Sequence, residues 1–203
     1  QVTDYPRSGR VLLRVNPARP ARFGLRLRMP LWCHAPSVTV NGQPVDPAPW
    51  PGEFYRIERE WRPGDEVALE FPMPFRLVKG RQAQAGRVAI MRGPILFCLN
   101  RARHPDLADM DLRLLVLDTQ SVEGPLDDAS VHPGGQACHI RAWKPGSLYP
   151  DAKPELALTL TEFAAPGGEA VYFKVPNPNQ AGLQDDELLA GYNAAADRPW
   201  PQG

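Results

Sequence analysis

Four histidines, His34, His104, His132 and His139, are the first residues of this sequence able to move a proton or ligate a metal near neutral pH. Their spacing matches no metal-ligand motif, so a metal trio would require the fold to gather them; solvated or capping histidines are the simpler reading. Cys33, Cys98 and Cys138 are far apart, with no CxxC or CxxH spacing, which argues against a closed zinc site. Their odd number argues against a disulfide scaffold, and Cys98 sits in an apolar run where a cysteine behaves as a small buried hydrophobe. Glu58 and Glu60 would share one face of a strand, a placement compatible with acid/base hydrolysis of a glycosidic bond, which needs two carboxylates roughly 5 to 10 Å apart. Outward-facing acids on a strand are the commoner case, and the same holds for Asp127 with Asp128. No serine occupies a nucleophile elbow, no glycine loop resembles a phosphate cradle, and no EF-hand spacing occurs. Of the aromatic residues Trp32, Trp50, Tyr55 and Trp61, the last two read as core. Trp32 and Trp50 lie on proline-rich loops and are the carbohydrate-contact candidates, since an exposed ring can stack on a sugar face.

The elements that would position these residues are strands. Phe23, Leu25, Leu27 and Met29 alternate with Arg22, Gly24, Arg26 and Arg28, the period of two of a half-buried antiparallel strand. The same alternation runs through Val11, Leu13 and Val15, through Tyr55, Ile57 and Trp61, and through Val67, Leu69 and Phe71. Asn41-Gly42 between two short apolar runs is a hairpin signal, because both central residues need positive φ. The run Gly86 to Leu99 is apolar on both faces, which reads as a strand buried on both sides. Gly93-Pro94 interrupts it, and the expectation is that the strand bends or changes sheets there. Later strands are expected over Leu112–Leu117, Ala137–Trp143, Leu156–Phe163 and Ala170–Val175, with a long acidic loop over Asp118–Gln136 and a short helix over Asp185–Ala196.

The 24 prolines and 17 glycines of the 203 residues are spread along the chain, as suits many short strands joined by turns. Lys plus Arg equals Asp plus Glu at 23 each, so no net field favours nucleic acid, and the arginines between Arg10 and Arg28 read as the solvated faces of strands. No stretch approaches the roughly 18 uninterrupted apolar residues of a membrane-spanning helix. No membrane or nucleic-acid partner is expected. The opening Gln1-Val2-Thr3-Asp4-Tyr5-Pro6 has no signal-peptide character and reads as the middle of a longer protein, so the missing signal leaves the compartment open.

Six words occur in order: Thr3-Asp4-Tyr5-Pro6, Leu25 to Cys33, Val38-Thr39-Val40-Asn41-Gly42, Tyr55 to Asp65, Leu69 to Pro74, and Gly86 to Leu99. Together they make residues 1–118 similar to the C-terminal β-sandwich region of glycoside hydrolase family 127, the β-L-arabinofuranosidase family. In that family a preceding helical barrel holds a zinc-bound cysteine nucleophile, further cysteine ligands and glutamates. None of those motifs is present here, so the resemblance transfers no catalytic residue, and Cys33, Cys98 and Cys138 are not expected to be zinc ligands.

The resulting expectation is an all-β chain of two antiparallel β-sandwich units, 1–98 and 99–203, with at most a short C-terminal helix. It would be a non-catalytic accessory region, without a cofactor of its own, that supports or dimerises the catalytic barrel of a bacterial-type glycoside hydrolase. The partners implied are the missing N-terminal helical barrel, a second copy of the chain and a carbohydrate. An autonomous carbohydrate-binding module using Trp32 and Trp50 is the alternative, and a small hydrolase working through Glu58 is the third reading.

Overall fold

A computed structural model describes residues 1–147, 151–163 and 166–186. These residues form two compact units, one over Gln1–Pro74 and one over Phe75–Asp186.

The first unit holds β1 (Val2–Thr3), β2 (Arg10–Val15), β3 (Ala21–Arg28), β4 (Ser37–Val40), β5 (Gln43–Pro44), β6 (Phe54–Trp61) and β7 (Asp65–Glu70). One sheet has the order β1-β2-β7-β4-β5; the other is the pair β3-β6. The inward set of each strand is the one its alternation marks. Val11, Val38, Val40, Val67 and Leu69 from the larger sheet meet Leu27 and Trp61 from the pair in one core, joined by Met29, Trp32, Cys33 and Phe71. That is a sandwich built from two inner faces. Asn41 and Gly42 take φ of 50° and 77° and connect Val40 to its ladder partner Gln43, as the Asn-Gly signal requires.

The second unit holds β8 (Phe75–Lys79), β9 (Arg87–Arg92), β10 (Ile95–Asn100), β11 (Val116–Leu117), β12 (Glu123–Asp127), β13 (Gln136–Trp143), β14 (Leu156–Glu162), β15 (Gly168–Ala170), β16 (Phe173–Lys174) and β17 (Leu183–Gln184). Its ladders close on themselves: β9 pairs β10, then β14, β13, β11 and β16 follow in turn, and β16 returns to β9. The second unit is therefore a six-strand barrel where a sandwich was expected. Side chains fill its interior, and every ring strand contributes: Ile90, Phe97, Leu99, Leu117, Ile140, Leu158, Leu160 and Phe173 are all buried. Pairing is antiparallel apart from two short parallel contacts, β11 with β16 and β17 with β8.

Three local readings change. Gly93-Pro94 does not carry a strand between sheets. It is a two-residue hairpin joining Arg92 to its partner Ile95, with Gly93 at φ 55° in the first central position of a hairpin turn. The run Gly86 to Leu99 is buried on both faces, with Val88, Ile90, Phe97 and Leu99 fully covered, yet it lies inside the second unit. The compact units part at Pro74/Phe75, not at 98/99. Finally, the acidic stretch after Asp118 contains β12, an exposed strand on β13 with a bulge between Glu123 and Leu126. Pro125 sits in that bulge, where its missing N–H costs no ladder bond. The helix expected over 185–196 falls almost wholly outside the described residues.

Candidate functional site

The most exposed aromatic side chains lie at one end of the β3-β6 ribbon. Along β3 the outward set is Arg22, Gly24, Arg26 and Arg28, and along β6 it is Phe54, Arg56, Glu58 and Glu60. Arg28 faces Phe54 across the ladder, and its guanidinium carbon stands 5.5 Å from the Phe54 ring centre, a cation–π contact. The same guanidinium donates to the Met29 and Gly52 carbonyls. These bonds tie the strand to the loop that carries Trp50. The loop is held at two further points: Met29 N–H donates to Glu53 O at 2.8 Å and Gly52 N–H to Met29 O at 3.0 Å. Tyr55 Oη donates to Pro47 O at 2.8 Å, and partial burial, with Asp46 nearby, raises that phenol above its ordinary pKa. The pinned loop presents Trp50 at 69% exposure, a few residues before Phe54 at 64%. Among the described residues β3 and β6 pair only with each other, so each leaves an eight-residue edge without a ladder partner. Arginine at alternate positions charges those edges.

The two sequence candidates thus separate. Trp50 is exposed. Trp32 is 7% exposed, packed in the sandwich core edge-on to Phe71 at 6.2 Å, and offers no face to a ligand. Its proline-flanked loop folds back into the core, and a large apolar ring gains more from that burial than from solvent. Phe54 and Arg28, which the sequence reading passed over, belong with Trp50. The signal was present, since assigning Tyr55, Ile57 and Trp61 to the inner face sends Phe54 outward.

The other candidates are structural in their contacts. Glu58 pairs with Arg56 at 2.5 Å and Glu60 with Arg62 at 3.6 Å, on a solvent-facing surface. Gly24 leaves the room over which the Arg56 side chain lies, a Cβ there meeting Arg56 Nε at 3.0 Å. His104 Nε2 accepts from Thr159 N–H at 3.2 Å, His139 Nδ1 is 3.1 Å from Thr159 Oγ1, and His132 Nε2 is 2.7 Å from Glu162 Oε2. His34 is exposed. Among the described residues no three His, Cys, Asp or Glu side chains stand together as a metal-ligand group.

All three cysteines are buried free thiols. Burial pushes Cys138 up to about 12 and also raises Cys98, whose Sγ lies 3.6 Å from Glu162 O. A thiol held in its protonated form and out of solvent is a poor nucleophile. The native chain is therefore expected to show no thiol reacting with Ellman's reagent at about pH 8, and all three after unfolding in guanidinium. A native chain that titrates even one thiol within minutes would contradict this burial.

Comparison with known proteins agrees with this picture. Residues 1–73 match the family model described as beta-L-arabinofuranosidase, GH127 middle domain. The chain is thus similar, over its first third, to the middle domain of glycoside hydrolase family 127. A curated relative, the non-reducing end beta-L-arabinofuranosidase of Bifidobacterium longum subsp. longum, is 34% identical over 116 residues. That match covers 52% of this chain and 17% of the relative. A crystal structure of a family 127 beta-L-arabinofuranosidase from Geobacillus stearothermophilus T6 superposes with a TM-score of 0.70 at 32% identity. It covers 86% of this chain and 30% of that one. A second family 127 structure, a beta-arabinofuranosidase, covers 92% of this chain and 32% of its own, at 26% identity and a TM-score of 0.69. The structural likeness to family 127 therefore runs well past Leu117, into the barrel, where word matches are thin.

Proposed function

We propose that this chain is a non-catalytic accessory β region of a family 127 glycoside hydrolase resembling the β-L-arabinofuranosidases, and that it supports or dimerises the helical barrel that does the chemistry. The observation that carries this reading is the coverage: nearly all of this chain matches less than a third of each solved relative. The ribbon end with Trp50, Phe54 and Arg28 supports it, because exposed large apolar rings beside unpaired strand edges form a surface that another domain covers well. The test mixes the purified chain with a separately produced helical barrel from a family 127 relative. The expected result is a complex on size-exclusion chromatography with light scattering, weakened at least tenfold by Trp50→Ala with Phe54→Ala, a loss of about 1.4 kcal/mol. The chain alone should not release product from an aryl β-L-arabinofuranoside. Turnover by the chain alone, abolished by Glu58→Gln, would overturn the proposal.

The exposure of Trp50 favours a second reading, an autonomous carbohydrate-binding module. Calorimetric titration of the chain with arabino-oligosaccharides separates the two. Saturable heat that is lost in Trp50→Ala supports the module, and flat titrations support the accessory role.

A further inference from the structure

The barrel carries a pair of cations that neither its core nor its ladders call for. Arg87 opens β9, Lys174 closes β16, and the two are direct partners in the antiparallel ladder. Side chains so opposed share one face at about 5 Å between Cβ atoms, and like charges there oppose pairing. Among the described residues no carboxylate forms an ion pair with either of them, and the acids at the end of the described chain serve other cations: Asp185 lies 3.2 Å from Lys79 and Asp186 3.4 Å from Arg81. Counting Lys79, Arg81, Arg87 and Lys174 against these two aspartates leaves two positive charges over, and both stand on the Arg87–Lys174 pair.

The Arg87 guanidinium is also poorly satisfied. Nη1 donates to Ala83 O at 3.3 Å and to Gln84 Oε1 at 3.4 Å, both neutral acceptors beyond the usual distance. Its Nε is buried and has no acceptor among the described residues. A charged donor left so under-used inside a fold is costly unless something else meets it. Beside the pair is an open hollow of about 250 Å³, lined by Ala85, Gly86, Arg87, Lys174, Val175 and Pro178. It is walled by small and apolar residues, and its two side chains able to donate strongly both carry positive charge.

We propose that Arg87 and Lys174 form a binding site for a small oxyanion, that is, a phosphate, sulfate or carboxylate group. A guanidinium fork and a rotatable ammonium converging from adjacent strands suit two oxygens of one anionic group. The bound anion turns the cross-strand repulsion into two charge-assisted hydrogen bonds. The hollow has room for a group of that size, so the ligand is a free anion or the anionic group of a larger molecule.

The experiment follows thermal unfolding of the full chain as chloride is replaced by phosphate, or in a parallel arm by acetate, at constant ionic strength. At ten times the dissociation constant the wild-type midpoint should rise saturably by roughly 5 °C. Lys174→Gln and Arg87→Gln should lose at least four-fifths of that rise. In chloride alone Lys174→Gln should melt no lower than wild type, since it removes a repulsion. A response to phosphate but not acetate assigns the tetrahedral anions; the reverse assigns a carboxylate. An equal rise in wild type and variants would overturn the proposal, because excluded kosmotropic ions stabilise any fold in that way. Should either variant fail to fold, the wild-type amide spectrum decides: saturable phosphate or acetate shifts at Gly86 and Val175 support the site, and no shift there with either anion overturns it.

Discussion

Trp61→Ala is expected to destabilise the sandwich unit by about 4 kcal/mol, close to the upper end for a single core truncation. Trp61 is fully buried although it ends one strand of a two-stranded sheet. Three contacts fix the ring. It stacks on Phe23 at 6.0 Å between centres, the Arg59 guanidinium lies 5.2 Å over it, and Nε1 donates to Phe23 O at 3.0 Å. Removing the indole takes away the largest inward side chain of the β3-β6 ribbon. The inner face of that ribbon is otherwise held by Leu27 and by the half-buried Leu25, Tyr55 and Ile57. Urea unfolding followed by circular dichroism, with amide exchange resolved over β3 and β6, should show the ribbon opening first. Trp61→Phe keeps most of the packing and loses the Nε1 hydrogen bond, so it should cost roughly 1 to 2 kcal/mol. If Trp61→Ala unfolds within about 0.5 kcal/mol of wild type, the ribbon is not held through this ring.

Gly9→Ala is expected to cost about 3 kcal/mol, more than any other glycine-to-alanine change in the sandwich. The residue lies just before β2, where Phe71 N–H donates to Gly9 O at 3.0 Å and extends the β2-β7 ladder by one more bond. A Cβ at Gly9 would stand 1.9 Å from Phe71 O and 2.8 Å from Phe71 C, both backbone atoms that no side-chain rotation can move away. The two chains must separate, which breaks the bond and draws the Phe71 ring out of the core it shares with Trp32. Gly42→Ala is the informative contrast. Its Cβ would meet nothing within 4 Å, but φ is +77°, so its cost is conformational, about 1 to 2 kcal/mol. Equal losses for the two variants would mean that the steric argument at Gly9 fails.

The outward and inward sets of β2, β3, β6 and β7 were legible in the sequence because alternation is a local property: successive side chains leave a strand on opposite sides whatever pairs with it. The Asn41-Gly42 hairpin was legible for the same reason, since the φ signs it needs are set by the two residues themselves. The same alternation separates inner Tyr55 from outer Phe54. It does not tell which proline-flanked loop turns inward, and so the opposite fates of Trp32 and Trp50 were out of reach. Gly93-Pro94 shows the limit from another side. Proline interrupts a ladder in either case, and only the partner of Arg92 tells a hairpin from a strand changing sheets.

By itself, then, the sequence determined an all-β chain, the faces of its best strands, Cys98 as a buried hydrophobe and the likeness to glycoside hydrolase family 127. The tertiary structure alone decided that the second unit closes into a ring, that the compact units part after Pro74, and that Arg87 meets Lys174 across a ladder. These last facts join residues far apart in the chain. Closing β16 onto β9 brings together positions more than eighty residues apart, and no periodicity within either segment encodes that partner.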